Sequence, residues 1–201
     1  SYPADVDDDL IACHHDLGQL MPYLHLPVQS GSDKILKAMN RRHDRAKYLE
    51  VIDKLRNAND KLRFSSDFIV GFPNETDEDF KQTLSLVDEV KYIQAYSFKY
   101  SRRAGTPAAV MAGQVDEKVK KARLDELQTL LFDYQDKFNR SCVGKVFPVL
   151  FEQGGRHNGQ LIGRTPYMQN LHAKADKSLL NKIVDVRVES ATTNSLSGKV
   201  L

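Results

Sequence analysis

The chain has 201 residues, of which 41% are hydrophobic and 28% are charged, and its formal net charge is +2. This apolar content is enough to bury an ordinary core in one or two domains. No apolar run approaches the roughly 20 residues of a membrane span, and the amino end has no signal-peptide pattern, so we expect no association with a membrane.

The cysteines and histidines argue against a metal site. Cys13 and Cys142 are the only two cysteines and lie far apart in the chain, so they form no metal-ligand pair. They are most simply free thiols of a reducing compartment, which predicts a cytoplasmic protein. His14 and His15 are adjacent, which suits a solvated helix face better than a metal site.

Strand and helix patterns alternate through the first 139 residues. In chain order they predict a helix from Asp5 to Leu17, a strand over 22–27, helical structure from Lys34 to Asn57, a strand over 62–70, a helix after Thr76, a strand over 93–100 and a long helix from Asp116 to about Asn139. Thr76 and Asp79 resemble a capping box, with Asp in place of the usual Glu or Gln. The order predicts parallel strands with right-handed crossovers. Three strands make only part of a barrel or doubly wound sheet, and the first would leave an open edge.

A polar turn follows the first predicted strand. Gln29, Ser30, Gly31 and Ser32 separate that strand from a helical pattern. In α/β proteins, ligand groups lie where a parallel strand ends and the next helix begins. The turn is therefore a candidate ligand site, although a generic strand–turn–helix unit shares this pattern.

Five short strand-like runs follow Cys142 and predict a small barrel of the OB type. We therefore divide the chain into residues 1–139 and residues 140–201. Lys and Arg number 20 against 23 Asp and Glu before residue 140, and 9 against 4 from there on, so the second segment carries the basic character. A basic β-rich module is typical of polyanion binding, and an ordinary basic surface is the alternative.

Basic and aromatic side chains on such a barrel would hold RNA. The basic candidates are Arg156, Arg164, Lys174, Lys177 and Lys182, and the candidates for stacking are Tyr167 and His172. Each of these residues alone is also an ordinary surface residue, so the prediction depends on their occurring together on one barrel.

Three long strings are similar to a known family. They are HLPVQSGSDKILKAMNR (25–41), SSDFIVGFPNETDEDF (65–80) and YSFKYSRRAGTPAA (96–109). These strings closely resemble the radical S-adenosylmethionine methylthiotransferases, and residues 140–201 are similar to the TRAM domain of that family, an RNA-binding β-barrel. The resemblance implies an α/β fold, a partial (β/α) radical SAM barrel, followed by a small all-β OB-like TRAM barrel.

The string HLPVQSGS (25–32) resembles the MiaB type within this family. That type adds a methylthio group to carbon 2 of isopentenylated adenosine next to the tRNA anticodon. The resemblance therefore implies a tRNA anticodon stem-loop as the partner. Relatives that modify threonylcarbamoyl-adenosine typically vary this string, and an enzyme for that nucleoside is the alternative.

The resemblance also implies a binding site for S-adenosylmethionine at the carboxyl ends of the barrel strands. Gln29 and Ser30 would contact the ribose or methionine portion of this cofactor. Asp67, Gly71 and Phe72 would flank its adenine, with Gly71 letting the backbone approach closely.

Two aromatic residues and two arginines complete the implied site. Phe98 and Tyr100 would finish the wall around the adenine, although Phe98 also fits plain barrel core. Arg102 or Arg103 would meet the methionine carboxylate or an RNA phosphate. In the nearby loops, Asn74 and Ala104 stand where the family usually has glycine and proline.

The chain departs from the family's pattern in its cysteines. Family members hold one 4Fe–4S cluster with a C-x3-C-x2-C motif and a second with three further cysteines, and this chain has neither set. Cys13 and Cys142 cannot substitute, because each cluster needs about four clustered donors. The resemblance thus implies the C-terminal part of an enzyme that uses S-adenosylmethionine and two clusters when intact, and that is inactive without its N-terminal half. A stand-alone RNA-binding module with a vestigial barrel is the second interpretation, and the oligomeric state stays open.

Overall fold

A computed structural model describes all 201 residues, and these divide into two compact units. The first unit comprises residues 1–20 and 24–131, and the second comprises residues 21–23 and 132–201. Among the helices described below, none combines the length and the apolar character that crossing a membrane requires.

The first unit is a three-stranded sheet with its connecting helices. Its elements are α1 (Asp8–Asp16), β1 (Tyr23–His25), α2 (Asp33–Ala38), α3 (Arg45–Ala58), β2 (Arg63–Val70), α4 (Asp77–Val90), β3 (Gln94–Lys99) and α5 (Pro107–Val110), and the longest helix, α6 (Glu117–Ser141), starts in this unit. The strands lie in the order β1-β2-β3, and β2 and β3 are parallel, from Ser65 opposite Gln94 to Val70 opposite Lys99. A parallel bridge joins Gln29 to Phe68 beyond the end of β1. The predicted α/β class and parallel sheet are confirmed.

Three predicted boundaries differ from the structure. The predicted strand over 22–27 is only Tyr23–His25, because Pro27 has no amide hydrogen and pairing resumes only at Gln29. The helical pattern from Lys34 to Asn57 is two helices, since Asn40 turns left-handed after α2 and Asp44 caps α3. The first helix begins at Asp8, because the Asp7 carboxylate accepts a hydrogen bond from the Leu10 amide.

The sheet has one covered face and one uncovered face. Phe64, Phe68 and Val70 of β2 are buried and share the core with residues of α3 and α4, among them Tyr48, Ile52, Leu55, Leu86 and Val87. Side chains alternate along a strand, so the neighbouring positions point the other way. On that other face Tyr96 is 51% exposed and Phe98 is 55% exposed. The helices therefore shield only one side of this sheet.

The second unit is a closed five-stranded barrel. Its strands are β4 (Val146–Gly154), β5 (Gln160–Arg164), β6 (Asn170–Lys174), β7 (Ile183–Ala191) and β8 (Leu196–Val200), in the order β4-β5-β6-β8-β7. Neighbouring strands are antiparallel except β6 and β8. Val149, Phe151, Leu161, Leu171 and Val186 are among the residues that fill the interior, and Phe138 from the last turns of α6 packs against them. The predicted small barrel is confirmed.

Candidate ligand cavity and nucleic-acid interface

A cavity of about 1130 Å³ lies at the carboxyl ends of the strands in the first unit. Six residues predicted from the sequence line it, namely Gln29, Asp67, Phe72, Phe98, Tyr100 and Arg103. These residues come from segments that follow or end three different strands, and the sheet brings them together. Ser30, Gly71 and Arg102, which were predicted with them, do not line the cavity.

Gln29 is held in an unusual backbone conformation at the cavity wall. Its φ angle is +78°, a region that residues other than glycine rarely adopt. Two backbone hydrogen bonds fix it, from the Gln29 amide to the Asp67 carbonyl (2.9 Å) and from the Ile69 amide to the Gln29 carbonyl (2.9 Å). Such strain persists only where the surroundings enforce it, and it is concentrated at functional sites.

Ser30 and Gly71 support the loops behind the cavity. The Ser30 side chain is fully buried, and its oxygen accepts a hydrogen bond from the Ser32 amide and lies 3.4 Å from the Thr83 hydroxyl. Gly71 has a φ of +72°, and its amide donates to the Glu75 carboxylate (2.8 Å). In this structure Ser30 and Gly71 contact other groups of the protein, and these contacts shape the turns that carry Gln29 and Phe72.

Two aromatic rings form a wall of the cavity. Phe72 and Tyr100 pack edge to face with 5.1 Å between their ring centroids, and the ammonium of Lys120 lies 5.6 Å from the centre of the Tyr100 ring. The Tyr100 hydroxyl is buried without a hydrogen-bond partner in the protein. An unsatisfied buried hydroxyl carries a free-energy cost, so a polar group of a bound ligand would stabilise it. The wall therefore suits a planar, partly polar ligand such as a nucleoside.

A polar cluster that the sequence did not predict lies beside the cavity on the uncovered face of the sheet. The His25 imidazole Nδ1 is 2.7 Å from the Ser65 hydroxyl, and its Nε2 is 3.5 Å from Asp67 Oδ2. The Tyr96 ring packs edge-on against His25 at 6.4 Å. The period-two spacing of Ser65 and Asp67, with Tyr96 opposite Asp67 in register, could have indicated this cluster.

On the barrel, the structure separates the RNA-contact residues predicted from the sequence. Arg156 and His172 line a second cavity of about 600 Å³, together with polar residues that include His157 and Asn170. Arg164 donates to the Met168 carbonyl (3.0 Å) and lies 3.4 Å from Glu152, so its charge is partly compensated. The sequence could not show either arrangement, because both depend on how the strands are paired.

Tyr167 is packed within the barrel unit. Its ring lies edge to face against Phe138, at 5.2 Å, and against Phe147, at 5.8 Å. A ring with two such neighbours has less freedom to stack on a base than an exposed one. Tyr167 was predicted from its residue type alone, and residue type carries no information about these neighbours.

Three basic side chains form a row across the barrel. In register, Lys174 of β6 lies opposite Lys199 of β8, which lies opposite Arg187 of β7. All three are exposed, and none forms an ion pair within 4 Å. Directly opposed like charges destabilise a sheet, so this row costs stability unless an anion neutralises it. We call Lys174, Lys199 and Arg187 the basic row. Lys199 and Arg187 were not among the candidates predicted from the sequence.

The residues present do not fit an iron–sulfur cluster. Cys13 is half-buried and Cys142 is buried, and neither forms a disulfide. No three His, Cys, Asp or Glu side chains come close enough together to hold a metal ion. A cluster needs about four donors, mostly thiolates, so any cluster chemistry would have to use ligands from outside this chain.

Comparison with known proteins agrees with the fold. Residues 3–87 match the Radical SAM superfamily, and residues 140–201 match the TRAM domain. Along its whole length the chain is 55% identical to the tRNA-2-methylthio-N(6)-dimethylallyladenosine synthase of Rickettsia felis, and 54% identical to the enzymes of that name from Rickettsia canadensis and Rickettsia akari. It spans about half the length of these relatives, covering 45% of each. The chain therefore carries radical SAM and TRAM domains and is homologous to the C-terminal part of radical SAM tRNA methylthiotransferases.

Proposed function

We propose that this chain is the part of a tRNA-2-methylthio-N6-dimethylallyladenosine synthase that holds the nucleoside portion of S-adenosylmethionine and the tRNA. The observation that carries the proposal is the cavity at the strand ends, because it brings together six site residues predicted from separate segments. The similarity along the whole chain to synthases of that name supports it. The substrate would be isopentenylated adenosine next to the anticodon.

Within this proposal, the aromatic wall and the strand ends bind S-adenosylmethionine. Phe72, Phe98 and Tyr100 would pack against its adenine, and the buried Tyr100 hydroxyl would donate a hydrogen bond to it. Gln29 and Asp67 line the same cavity and would be the polar partners of hydroxyl and amino groups of the ligand. When bound, this cofactor supplies radical chemistry, and the protein residues orient it and exclude water.

The cluster ligands would come from residues outside this chain. Because Cys13 and Cys142 do not converge with other donors, the proposal assigns this chain to binding and positioning. We therefore expect no methylthiolation by this chain alone. The stand-alone alternative, an RNA-binding module with a vestigial barrel, predicts RNA binding without any role for the cavity.

The barrel would bind the tRNA anticodon stem-loop, in the cytoplasm. Lys174, Lys199 and Arg187 supply three uncompensated positive charges across neighbouring strands that are about 4.8 Å apart. Arg156 and His172 line the adjoining polar cavity and add contacts for phosphate or base. Such an arrangement binds the phosphate backbone mainly by charge, so we expect binding to weaken steeply as salt increases.

Nucleoside analysis of tRNA tests the proposal directly. Deleting the gene that encodes this chain should remove the 2-methylthio group from isopentenylated adenosine and leave the isopentenyl group in place. Loss of the methylthio group from threonylcarbamoyl-adenosine would instead assign the alternative substrate. An unchanged set of methylthiolated nucleosides would contradict both enzyme proposals and favour the RNA-binding module.

A further inference from the structure

The segment between β1 and the cavity carries one residue more than its pairing with β2 requires. The Leu26 amide donates to the Ser65 carbonyl (2.8 Å). The next backbone bond to β2 runs from the Gln29 amide to the Asp67 carbonyl (2.9 Å). Between these bonds the segment advances three residues, while β2 advances two. An extra residue on one side of a strand pair is a β-bulge, which is rare between parallel strands.

Two side-chain hydroxyls supply hydrogen bonds inside this bulge. The Val28 amide donates to the Ser66 hydroxyl oxygen (3.0 Å), and that hydroxyl donates to the Leu26 carbonyl (3.1 Å). The same carbonyl accepts a second hydrogen bond, from the Tyr48 hydroxyl of α3 (3.0 Å). Leu26, Val28, Tyr48 and Ser66 are all fully buried, so water cannot replace these partners. Each group left without its partner would therefore cost free energy.

A second tyrosine sets the direction of the Tyr48 hydrogen bond. The Tyr92 hydroxyl is buried and donates to the Tyr48 hydroxyl oxygen (2.9 Å). Because Tyr48 accepts this bond, its own proton is available to the Leu26 carbonyl. Burial raises the pKa of Tyr48, so the hydroxyl keeps that proton near neutral pH. The hydroxyls thus form one network in which each is both oriented and satisfied.

The bulge ends at Gln29, which lines the cavity and has a φ of +78°. A residue other than glycine keeps such a conformation only where its neighbours are held in place. On one side, the hydroxyl network holds Leu26 and Val28. On the other side, the Gly31 amide donates to the Thr83 hydroxyl (3.0 Å). Side chains of neighbouring elements therefore fix the backbone on both sides of Gln29.

We propose that Ser66 and Tyr48 are positioning residues, which hold the bulge so that Gln29 meets the nucleoside ligand of the cavity. Neither residue lines the cavity, so both act through Gln29. Bulges beside functional sites commonly redirect a side chain in this way. The inference rests on the proposed function and deepens it, because it makes recognition of the ligand depend on two hydroxyls buried outside the cavity.

The first test is a double-mutant cycle on ligand affinity. S-adenosylhomocysteine is titrated into the 15N-labelled chain, and dissociation constants are taken from amide shifts. Ser66→Ala leaves the Val28 amide unsatisfied, so we expect binding to weaken about 5-fold. In the Gln29→Ala background, Ser66→Ala should cause no further loss, because the two residues act as one unit. Ser66→Thr keeps the hydroxyl and should bind within about 2-fold of the original chain.

The second test needs no ligand, because hydrogen exchange of the Gln29 and Ile69 amides reports the bulge directly. In Ser66→Ala we expect exchange at these two amides to be about 10-fold faster, with little change in the core of α4. Asn59→Ala is a matched control in the same unit, since it removes a hydrogen bond to the His14 carbonyl (3.1 Å) away from the residues that line the cavity. It should leave both the affinity and the exchange of these amides unchanged.

Where the original chain binds the probe, unchanged affinity or unchanged Gln29 exchange in Ser66→Ala would overturn the inference, and so would an added loss in the Gln29→Ala background. If Ser66→Ala does not fold, Tyr48→Phe decides instead. It removes one of the two hydrogen bonds to Leu26, so binding should weaken about 2-fold and Gln29 exchange should accelerate. Failure of the proposed function looks different, since S-adenosylhomocysteine would then cause no shifts at the cavity of the original chain. The exchange measurement alone would then decide whether Ser66 holds Gln29 in place.

Discussion

The imidazole Nε2 of His25 lies 3.5 Å from Oδ2 of Asp67, on the face of the sheet that no helix covers. The Ser65 hydroxyl, 2.7 Å from Nδ1, holds the other side of the same ring. Asp67 also lines the cavity, whereas His25 does not. His25 therefore contacts a candidate ligand-binding carboxylate from outside the cavity. We therefore predict that His25 positions the Asp67 carboxylate.

Replacing His25 should weaken ligand binding without unfolding the sheet. In His25→Ala the Asp67 carboxylate loses its neighbour and gains rotational freedom, so we expect adenosine affinity to fall about 5-fold, on the order of 1 kcal/mol. Amide shifts in an adenosine titration measure this change. His15→Ala, at an exposed histidine of α1, is the control and should bind adenosine normally. Unchanged affinity in His25→Ala would remove His25 from the site.

Gly31 permits the close approach of the polar turn to helix α4. A Cβ at this position would lie 2.4 Å from the Gln82 carbonyl oxygen and 2.6 Å from the Thr83 Cα, both of which are backbone atoms. We expect Gly31→Ala to lower the free energy of unfolding by about 3 kcal/mol, because neither atom can move without displacing the helix. Urea denaturation followed by circular dichroism measures the loss. Gly18→Ala, where a Cβ meets nothing within 4 Å, should change stability by less than about 0.5 kcal/mol.

Asp79 makes stability depend on acid pH. Burial alone would raise its pKa, but hydrogen bonds from Lys34, Ser32 and Thr76 outweigh this and hold the pKa of Asp79 well below its usual value. A lowered folded-state pKa stabilises the fold fully above the unfolded value near pH 4, and the stabilisation is lost progressively as pH falls from there through the lower folded-state pKa. Asp79→Asn should therefore cost about 2 kcal/mol at pH 7 and progressively less below pH 4.

The measurement for Asp79 is urea unfolding at pH 7, 5 and 3. Asp53→Asn, at an exposed position of α3, should follow the original chain at every pH. A deficit in Asp79→Asn that stays constant from pH 7 to pH 3 would show that the carboxylate charge contributes nothing, and that only the shape of the capping box matters.

Arg123 compensates a buried carboxylate. Its guanidinium lies 2.8 Å from Glu75 and 2.6 Å from Asp77, and both Arg123 and Glu75 are buried. Burial raises the pKa of Glu75, and the Gly71 amide and Arg123 offset only part of this effect. Arg123→Ala should cost about 3 kcal/mol at pH 8, because it leaves an unpaired buried charge.

The pH dependence of that loss has a defined sign. A raised folded-state pKa stabilises the fold at low pH, and the stabilisation is lost as pH rises through it, so the deficit of Arg123→Ala should shrink from pH 8 to pH 5. Urea unfolding at the two pH values measures it. Adding Glu75→Gln should restore part of the loss at pH 8. Lys121→Ala, which breaks an exposed pair with Asp125, is expected to cost less than about 1 kcal/mol.

We expect the basic row to lower the stability of the barrel and to raise its affinity for RNA. Lys199→Glu places a carboxylate between Lys174 and Arg187, so we expect the barrel to gain about 0.5 kcal/mol while affinity for an anticodon stem-loop falls about 10-fold. Thermal unfolding and fluorescence anisotropy at two salt concentrations measure the two effects. Lys118→Glu, an exposed change of equal charge on α6, should leave RNA affinity near its original value. A loss of both stability and binding in Lys199→Glu would contradict this account.

Local signals predicted much of the fold. Thr76 and Asp79 form the capping box that their spacing indicated, and the five short runs after Cys142 form a closed barrel. These features depend on residues that are close in sequence or on the alternation of apolar and polar side chains along a strand. Both kinds of pattern are visible in one amino-acid sequence. The break between α2 and α3 was not predicted. The helical spacing of apolar residues continues across Asn40, and the left-handed turn there does not interrupt it.

Long-range pairing determines what sequence reasoning missed at the candidate sites. His25 meets Asp67, and Lys199 lies between Lys174 and Arg187, only because strands distant in sequence adopt one register. Ser30 was assigned to the ligand from its place after a strand, yet its hydroxyl lies beside Thr83 of the next helix in this structure. Residue type indicates which groups can bind a ligand, and only the register decides which of them face it.

The single parallel pairing in the barrel sets an order for its assembly. β8 inserts between β6 and β7, although β7 precedes it in the chain. Until residues 196–200 leave the ribosome, β6 and β7 each lack one of their two hydrogen-bonding neighbours. The interior around Leu171 and Val186 is then open to water. The hairpin contacts of β4 with β5 and β5 with β6 can form earlier, during synthesis. Closure of the barrel is thus the last step, and a ribosome stalled before residue 196 would carry an open, aggregation-prone sheet.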